Sequence, residues 1–332
     1  MNSSFDTAGQ YCWDSTSLTL ATTCWRKYYY KLIEGWTPDS GSAHLRFGAH
    51  YATALEHYYK HLANGVSPEE SLILVIHEAL VETWEHEWEE FDMSIADESG
   101  HRVEKQRRRV EGTGHPWESL HNLKTRGNLI RTIIWYFDHF AEDPTKVIQL
   151  ANGKPGVEYT FKLPVDGDII FSGHIDRLVS YSDNPYVMDQ KTTGSTISQR
   201  FFADFDLSIQ MSMYTFAGKV IYNMPVKGVI IDGAQIAVGF TRFERGITLR
   251  TEEQLNEWYQ EMMDTVAEGR ARYAKWQDSG DALRAFPRNL SACGNYGGCE
   301  FREICSKGQQ FRDQFLRGSF TKGEPWDPMK AR

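Results

Sequence analysis

Apolar and polar residues alternate with helical spacing over the first 143 positions. Thr16 to Lys31 mixes apolar and basic residues, Phe47 to Leu62 carries Tyr51, Leu55, Tyr58 and Tyr59 near one helical face, and Pro68 opens a helix predicted to run to about Glu90. A polar, glycine-containing stretch from Asp92 to Pro116 predicts a loop or mobile arm, after which Leu120 to Phe140 resumes the helical pattern and stops at Asp143-Pro144. Beyond Gly153-Lys-Pro-Gly156 the pattern shifts to strands: Val157 to Leu163, Ile169 to Ser180 and Tyr186 to Thr192. Turn-forming runs at Pro164–Gly167 and Ser182–Pro185 separate them, which predicts an antiparallel meander. A helix from about Asp206 to Tyr222, strands near Val226–Val238 and Phe240–Leu249, a helix from Thr251 to about Trp276 and a Cys-rich tail complete the chain.

The 332 residues are 41% hydrophobic and 13% aromatic, enough to bury a large core and to exclude a fibrous or predominantly disordered chain. No run of about eighteen apolar residues occurs, and the start lacks a basic segment followed by an apolar one; the expectation is a cytoplasmic protein with no membrane partner. The net charge of −9 argues at first against a polyanionic partner. Residues 67–98, however, hold eleven acidic residues and no Lys or Arg, so the other 300 carry +2. His101 to Arg131 then holds eight Lys or Arg (Arg102, Lys105, Arg107, Arg108, Arg109, Lys124, Arg126, Arg131) against three Glu. That patch suits either a helix pair of opposite charge or a nucleic-acid contact.

The chemical signal is Gly173-His-Ile-Asp176 on one strand and Asp189-Gln-Lys191 on the next. A hairpin centred near Asp183 sets Asp176 opposite Asp189, while Asp189 and Lys191, two apart, share a face. Facing carboxylates repel, so they share a proton or hold a cation, and oxygen ligands suit Mg²⁺ or Mn²⁺. Glu158 on the preceding strand is placed to add a third carboxylate. Such a metal polarises a phosphodiester and binds a water while Lys191 steadies developing negative charge; the bland alternative is an exposed ion-pair network on a sheet face. Gln210 and Tyr214, four apart on the following helix, project from one side towards the same cleft.

In these residues the chain resembles the PD-(D/E)XK nuclease superfamily, specifically its RecB-like branch. That branch has a strand Asp (here Asp176), then (D/E)-X-K (Asp189-Gln190-Lys191), then Q-X-X-X-Y (Gln210 to Tyr214). The resemblance implies an α/β fold with a restriction-endonuclease-like core, a mixed central sheet flanked by helices. It implies Asp176 and Asp189 as metal ligands assisted by the Gln190 carbonyl, Lys191 as catalytic lysine, Glu158 as auxiliary ligand, and Gln210 and Tyr214 touching the site or the DNA. The branch often carries G-X-X-X-H-X-X-L-E; here Gly48, Leu55 and Glu56 match, but Ala52 stands at the His position. Glu56, one turn on, is the better substitute ligand, since residues 50 and 57 point elsewhere on the helix.

Cys293, Cys299 and Cys305 are evenly spaced in a Gly-containing segment, and Cys24 lies near the other end. Thiolates suit iron-sulfur clusters or Zn²⁺, and the spacing leaves both open. RecB-like nucleases of the iron-sulfur subgroup, the AddB type and the CRISPR-associated adaptation nucleases among them, carry one Cys before the core and three after it. The similarity therefore implies a 4Fe-4S cluster joining the two ends, with Zn²⁺ as the alternative; the five-residue first gap is longer than the Cys-X-X-Cys of many members. Cys12 is then a spare structural thiol. A staple from residue 24 to 293–305 closes most of the chain into one loop.

The expected organisation is 1–65, N-terminal helices with the first cluster Cys; 66–143, a helical insertion; 144–280, the nuclease core; and 281–332, the iron-sulfur segment. The implied function is divalent-metal-dependent hydrolysis of DNA, single-stranded or with free ends, by an exonuclease or end-processing enzyme of recombination, repair or phage DNA metabolism, with a recombination or helicase partner protein. The alternative, prompted by Ala52, is a non-catalytic DNA-binding or helicase-partner module on the same scaffold.

Overall fold

The computed structural model describes residues 4–97, 100–110, 112–119 and 121–330, with the backbone alone at residues 88, 90–97, 100–109 and 296. Its centre is a mixed sheet of β5 (Val157–Asp166), β6 (Ile169–Tyr181), β7 (Asn184–Thr193), β8 (Gly228–Ile236) and β9 (Thr241–Leu249), in that order; β1 (Cys12–Trp13) and β4 (Lys146–Val147) pair with β6 off this path. The three-strand meander is antiparallel, as expected. β7 and β8 are parallel and are joined through α5 (Ile209–Tyr222), because parallel neighbours need a crossover long enough to return the chain to the same edge. β8 is buried at every position, which fits a central strand covered on both faces.

One face of the sheet is covered by α1 (Ser15–Thr23), α5 and α6 (Glu252–Ser279), where Leu18, Phe171, Val187, Met211, Ile231 and Trp258 share a core. The other is covered by α2 (Ala43–Ala63), α3 (Pro68–Glu82) and α4 (Arg126–His139), whose Phe47, Tyr51, Ile133 and Tyr136 pack with Ala234, Ile236 and Phe243 of the sheet. α3 and α4, within the expected 66–143 insertion, contribute to the core that packs on this face.

The segment between α3 and α4 departs from expectation. The helix from Pro68 stops at Glu82, and the predicted arm is a β-hairpin, β2 (Trp88–Asp97) with β3 (Gly100–Arg109). Its pattern is readable in retrospect, since Phe91, Met93 and Ile95 alternate with polar residues at period two. The register sets Glu89 opposite Arg108, Glu90 opposite Arg107 and Asp92 opposite Lys105, so the end of the acidic run and the start of the basic run are the two strands of one ribbon. The side chains of Arg102, Lys105, Arg107, Arg108 and Arg109 lie outside the described residues.

The termini meet. A strand pair joins Trp36–Pro38 to Phe320–Lys322, Arg26 is buried and donates through Nε to the Phe286 carbonyl at 2.7 Å, and Lys31 pairs with Glu300 at 2.9 Å. Among the described residues no helix is long and apolar enough to cross a membrane.

Candidate active site

Asp189 and Lys191 point from β7 towards α5, the face that Val187 shares with the main core. The Lys191 ammonium lies 2.6 Å from Asp189 Oδ2 and donates to Gln210 Oε1 at 3.0 Å; Gln210 Nε2 in turn donates to the Tyr214 hydroxyl at 3.0 Å. The Asp189 side chain is 2% exposed and that of Lys191 29%, so the chain of contacts starts at a buried carboxylate and opens to solvent through the amine. Gln210 and Tyr214 reach one another because they are one turn apart on α5. Tyr214 also passes Gly173 of β6, where a Cβ would meet the Phe161 ring at 2.8 Å; that glycine lets strand and rings close together beside the site.

Asp176 sits where β6 loses its regularity. Ile175 and Leu178, three residues apart, both enter the main core, so the in-out alternation slips by one between them. On β5, Val157 pairs with Arg177 and Tyr159 with Ile175, passing over Glu158 and Asp176, and Glu158 has a left-handed φ of 45°. Such a backbone costs a non-glycine residue roughly 1 kcal/mol or more and is held by its surroundings. The β6–β7 register ends at Arg177 opposite Met188, which makes Asp189 the next neighbour of Asp176. Glu158, Asp176 and Asp189 therefore occupy one row across three adjacent strands. Asp176 is tied to β7 by the Gln190 backbone N–H, which donates to Oδ2 at 2.9 Å.

The row is not a closed ligand cage: among the described residues no three His, Cys, Asp or Glu side chains form a group poised to hold a metal ion. Glu56, expected as a ligand, is paired with Lys60 one turn along α2. His57 and His61 both contact Glu78, and His50 lies 3.8 Å from Glu82. The three carboxylates of the row are oxygen donors of the kind that suits Mg²⁺ or Mn²⁺, which keep several waters and take further oxygens from a substrate phosphate.

Behind the site lies a network that the sequence reading missed. Arg177 and Asp232 form an ion pair at 2.7 Å with both side chains 1% exposed. Tyr136 donates to Asp232 Oδ2 at 2.5 Å, Arg245 donates to Asp232 Oδ1 at 3.1 Å, and Arg245 grips Asp143 with two bonds of 2.6 and 2.8 Å. Burial alone would lower the Arg177 pKa, but the Tyr136 and Tyr59 phenols and Asp232 outweigh it and hold the guanidinium charged. Burial also opposes ionisation of Asp143, yet the Arg245 bonds keep its carboxyl below the usual range. A signal was available: Asp232 interrupts the apolar run Gly228–Ile236, and an acid in a central strand demands a buried partner.

Two of the cysteines meet at Asn289. Cys24 Sγ accepts from the Asn289 backbone N–H at 3.3 Å, and Cys293 Sγ donates to the Asn289 carbonyl at 3.6 Å. Burial pushes the Cys299 and Cys305 thiols up, and Cys24 adds to the effect on both. All five thiols are free, and Cys12 is apart from the others, buried on β1 with its pKa pushed up to about 12 by burial first and Asp14 second.

The family model for the PD-(D/E)XK nuclease superfamily matches residues 15–306. No curated protein matches the sequence.

Proposed function

From the premise that this chain belongs to the PD-(D/E)XK nuclease superfamily, whose members are generally metal-dependent nucleases, we propose that it hydrolyses DNA phosphodiesters at the Asp176–Asp189–Lys191 site. The observation that carries the reading is the contact chain Asp189–Lys191–Gln210–Tyr214, which starts at the carboxylate next to Asp176 where β6 loses its regularity. Asp176 and Asp189, with the Gln190 carbonyl, would hold Mg²⁺ or Mn²⁺; the ion supplies charge to a scissile phosphate and lowers the pKa of a water. Glu158, in the same row, is the auxiliary carboxylate. Lys191 presents its ammonium to the developing oxyanion, and Gln210 fixes where that ammonium points. Tyr214 orients Gln210 and offers its hydroxyl to the substrate backbone. DNA ends or single strands are the substrate we assign, in recombination, repair or phage DNA metabolism and beside a recombination or helicase partner protein.

At the ends of the chain the thiols Cys24, Cys293, Cys299 and Cys305 are the proposed ligands of a 4Fe-4S cluster of the RecB-like iron-sulfur subgroup, with Zn²⁺ as the alternative. Their donor chemistry and the contacts of Cys24 and Cys293 with Asn289 support this. Anaerobic purification followed by iron, sulfide and zinc analysis decides between them; zinc alone removes the cluster.

A second reading, a non-catalytic DNA-binding module, draws on Ala52 at the usual His position and on Lys191 closing over Asp189. Degradation of linear DNA in Mg²⁺ or Mn²⁺ by the wild type and by Lys191→Ala separates the two. We expect activity to fall about 100- to 1,000-fold in the variant, the scale for losing one preorganised charge-stabilising donor. Equal rates in both proteins eliminate the catalytic assignment.

A further inference from the structure

Gln190 is more than a source of a backbone carbonyl. Its side chain lies between Asp176 and Arg177, and its neighbours dictate its amide orientation: the reverse would set carbonyl against carboxylate and NH₂ against guanidinium. Oriented this way, Nε2 donates to Asp176 Oδ2 at 2.8 Å, while Oε1 accepts from Arg177 Nε at 2.9 Å and Nη2 at 3.1 Å. Together with the backbone N–H at 2.9 Å, one residue delivers two donors to one carboxylate oxygen. Arg177 cannot swing, because Asp232 and Tyr136 hold its Nη2 at 2.7 and 2.9 Å and the Tyr59 ring lies 4.3 Å from its guanidinium carbon.

We propose that the buried Arg177–Asp232–Tyr136 network acts through the Gln190 side chain to set the orientation of the Asp176 carboxylate, making Gln190 and Arg177 positioning residues for the divalent cation. The inference rests on the reading of Asp176 as a metal ligand. Two observations set this apart from ordinary packing. The Gln190 amide makes both its polar contacts within the line from Arg177 to Asp176, and that line crosses the place where β6 loses its alternation. A carboxylate at a slipped strand position has no regular ladder to orient it, so another device must, and a guanidinium fork clamped on its far side is the stiffest donor array available.

The test is Mn²⁺ binding to the DNA-free protein, titrated by electron paramagnetic resonance, for wild type, Gln190→Met and Arg177→Lys. Gln190→Met keeps length and the backbone N–H while deleting both amide contacts; Arg177→Lys keeps the charge facing Asp232 while losing the fork. Both should weaken Mn²⁺ binding about tenfold or more, the usual cost of removing a partner that orients a metal ligand, and both should shift the Mn²⁺ concentration that half-saturates DNA cleavage in parallel. Should Arg177→Lys fail to fold, Gln190→Met alone decides. Wild-type affinity in a folded Gln190→Met overturns the proposal, as does a wild type that takes up no Mn²⁺. Gln190-dependent Mn²⁺ binding by a wild type that cleaves no DNA keeps this inference and removes the nuclease reading instead.

Discussion

Two ionic assemblies lie on opposite sides of the same strands, and they differ in how fully their charges are answered. At Arg177–Asp232 both oxygens of the carboxylate are taken, by Arg177 and Tyr136 on one and Arg245 on the other, and Arg245 is balanced again by Asp143. At Asp189–Lys191 the amine that meets the carboxylate reaches solvent with 29% of its side chain exposed. Two acids and two guanidiniums form a neutral set whose outward contact is from Arg177 to the Gln190 amide, whereas the second assembly ends in a cation facing outwards beside another carboxylate. Saturation marks the structural network and incomplete closure marks the chemical one.

Four substitutions test that contrast. Asp232→Ala leaves the buried Arg177 guanidinium without its carboxylate while Arg245 keeps Asp143, and should destabilise the fold by about 3–5 kcal/mol in urea titrations; a loss below about 1 kcal/mol would show that the closed network contributes little. Lys124 offers a third condition, a buried amine 4.6 Å above the Phe47 ring with no ionic partner among the described residues and a pKa pushed down to about 8 by burial. Lys124→Met should therefore stabilise by about 2 kcal/mol at pH 7. The sign with pH follows from proton counting: between about 8 and the ordinary 10.5 the unfolded chain binds the proton and the folded one does not, so wild-type stability rises there and the advantage of the variant shrinks. An advantage that stays constant to pH 10.5 would refute the buried-charge account.

On the open side, Tyr214→Phe deletes the hydroxyl that accepts from Gln210 and should lower DNA cleavage about tenfold while changing stability by less than about 1 kcal/mol. A stability loss with unchanged rate would move Tyr214 to the structural side. The smallest effect belongs to Asp143, whose pKa is held below 3.8. Its contribution, about 1 kcal/mol, is complete above the ordinary aspartate range and disappears as the pH falls through the lowered value. The stability gap between wild type and Asp143→Asn should be flat at neutral pH and close in acid.

Much of the site was legible because it is written locally. Asp189 and Lys191 share a face by the period of a strand, Gln210 and Tyr214 by the period of a helix, and a short turn brings Asp176 beside Asp189. The hairpin at Trp88–Arg109 was misread because its charge runs outweighed a short period-two pattern, which only pairing with the opposite run makes decisive. Glu56 was placed by helical spacing from Ala52, and it pairs with Lys60 at the favoured i,i+4 distance on the same helix.

By itself the sequence determined the meander, the crossover helix, the order of acid, acid, amine, amide and phenol, and the placing of thiols near both ends, since each depends on neighbours a few residues apart or on a count along the chain. Tertiary structure alone decided that Arg177 turns away from its neighbour Asp176 to meet Asp232 fifty-five positions later, that Gln190 bridges the two, and that α3 and α4 contribute to the core that packs on one face of the sheet. Those outcomes depend on which strand lies beside which and on where β6 slips, and the free energy that fixes them is burial and charge neutralisation summed over the packed whole.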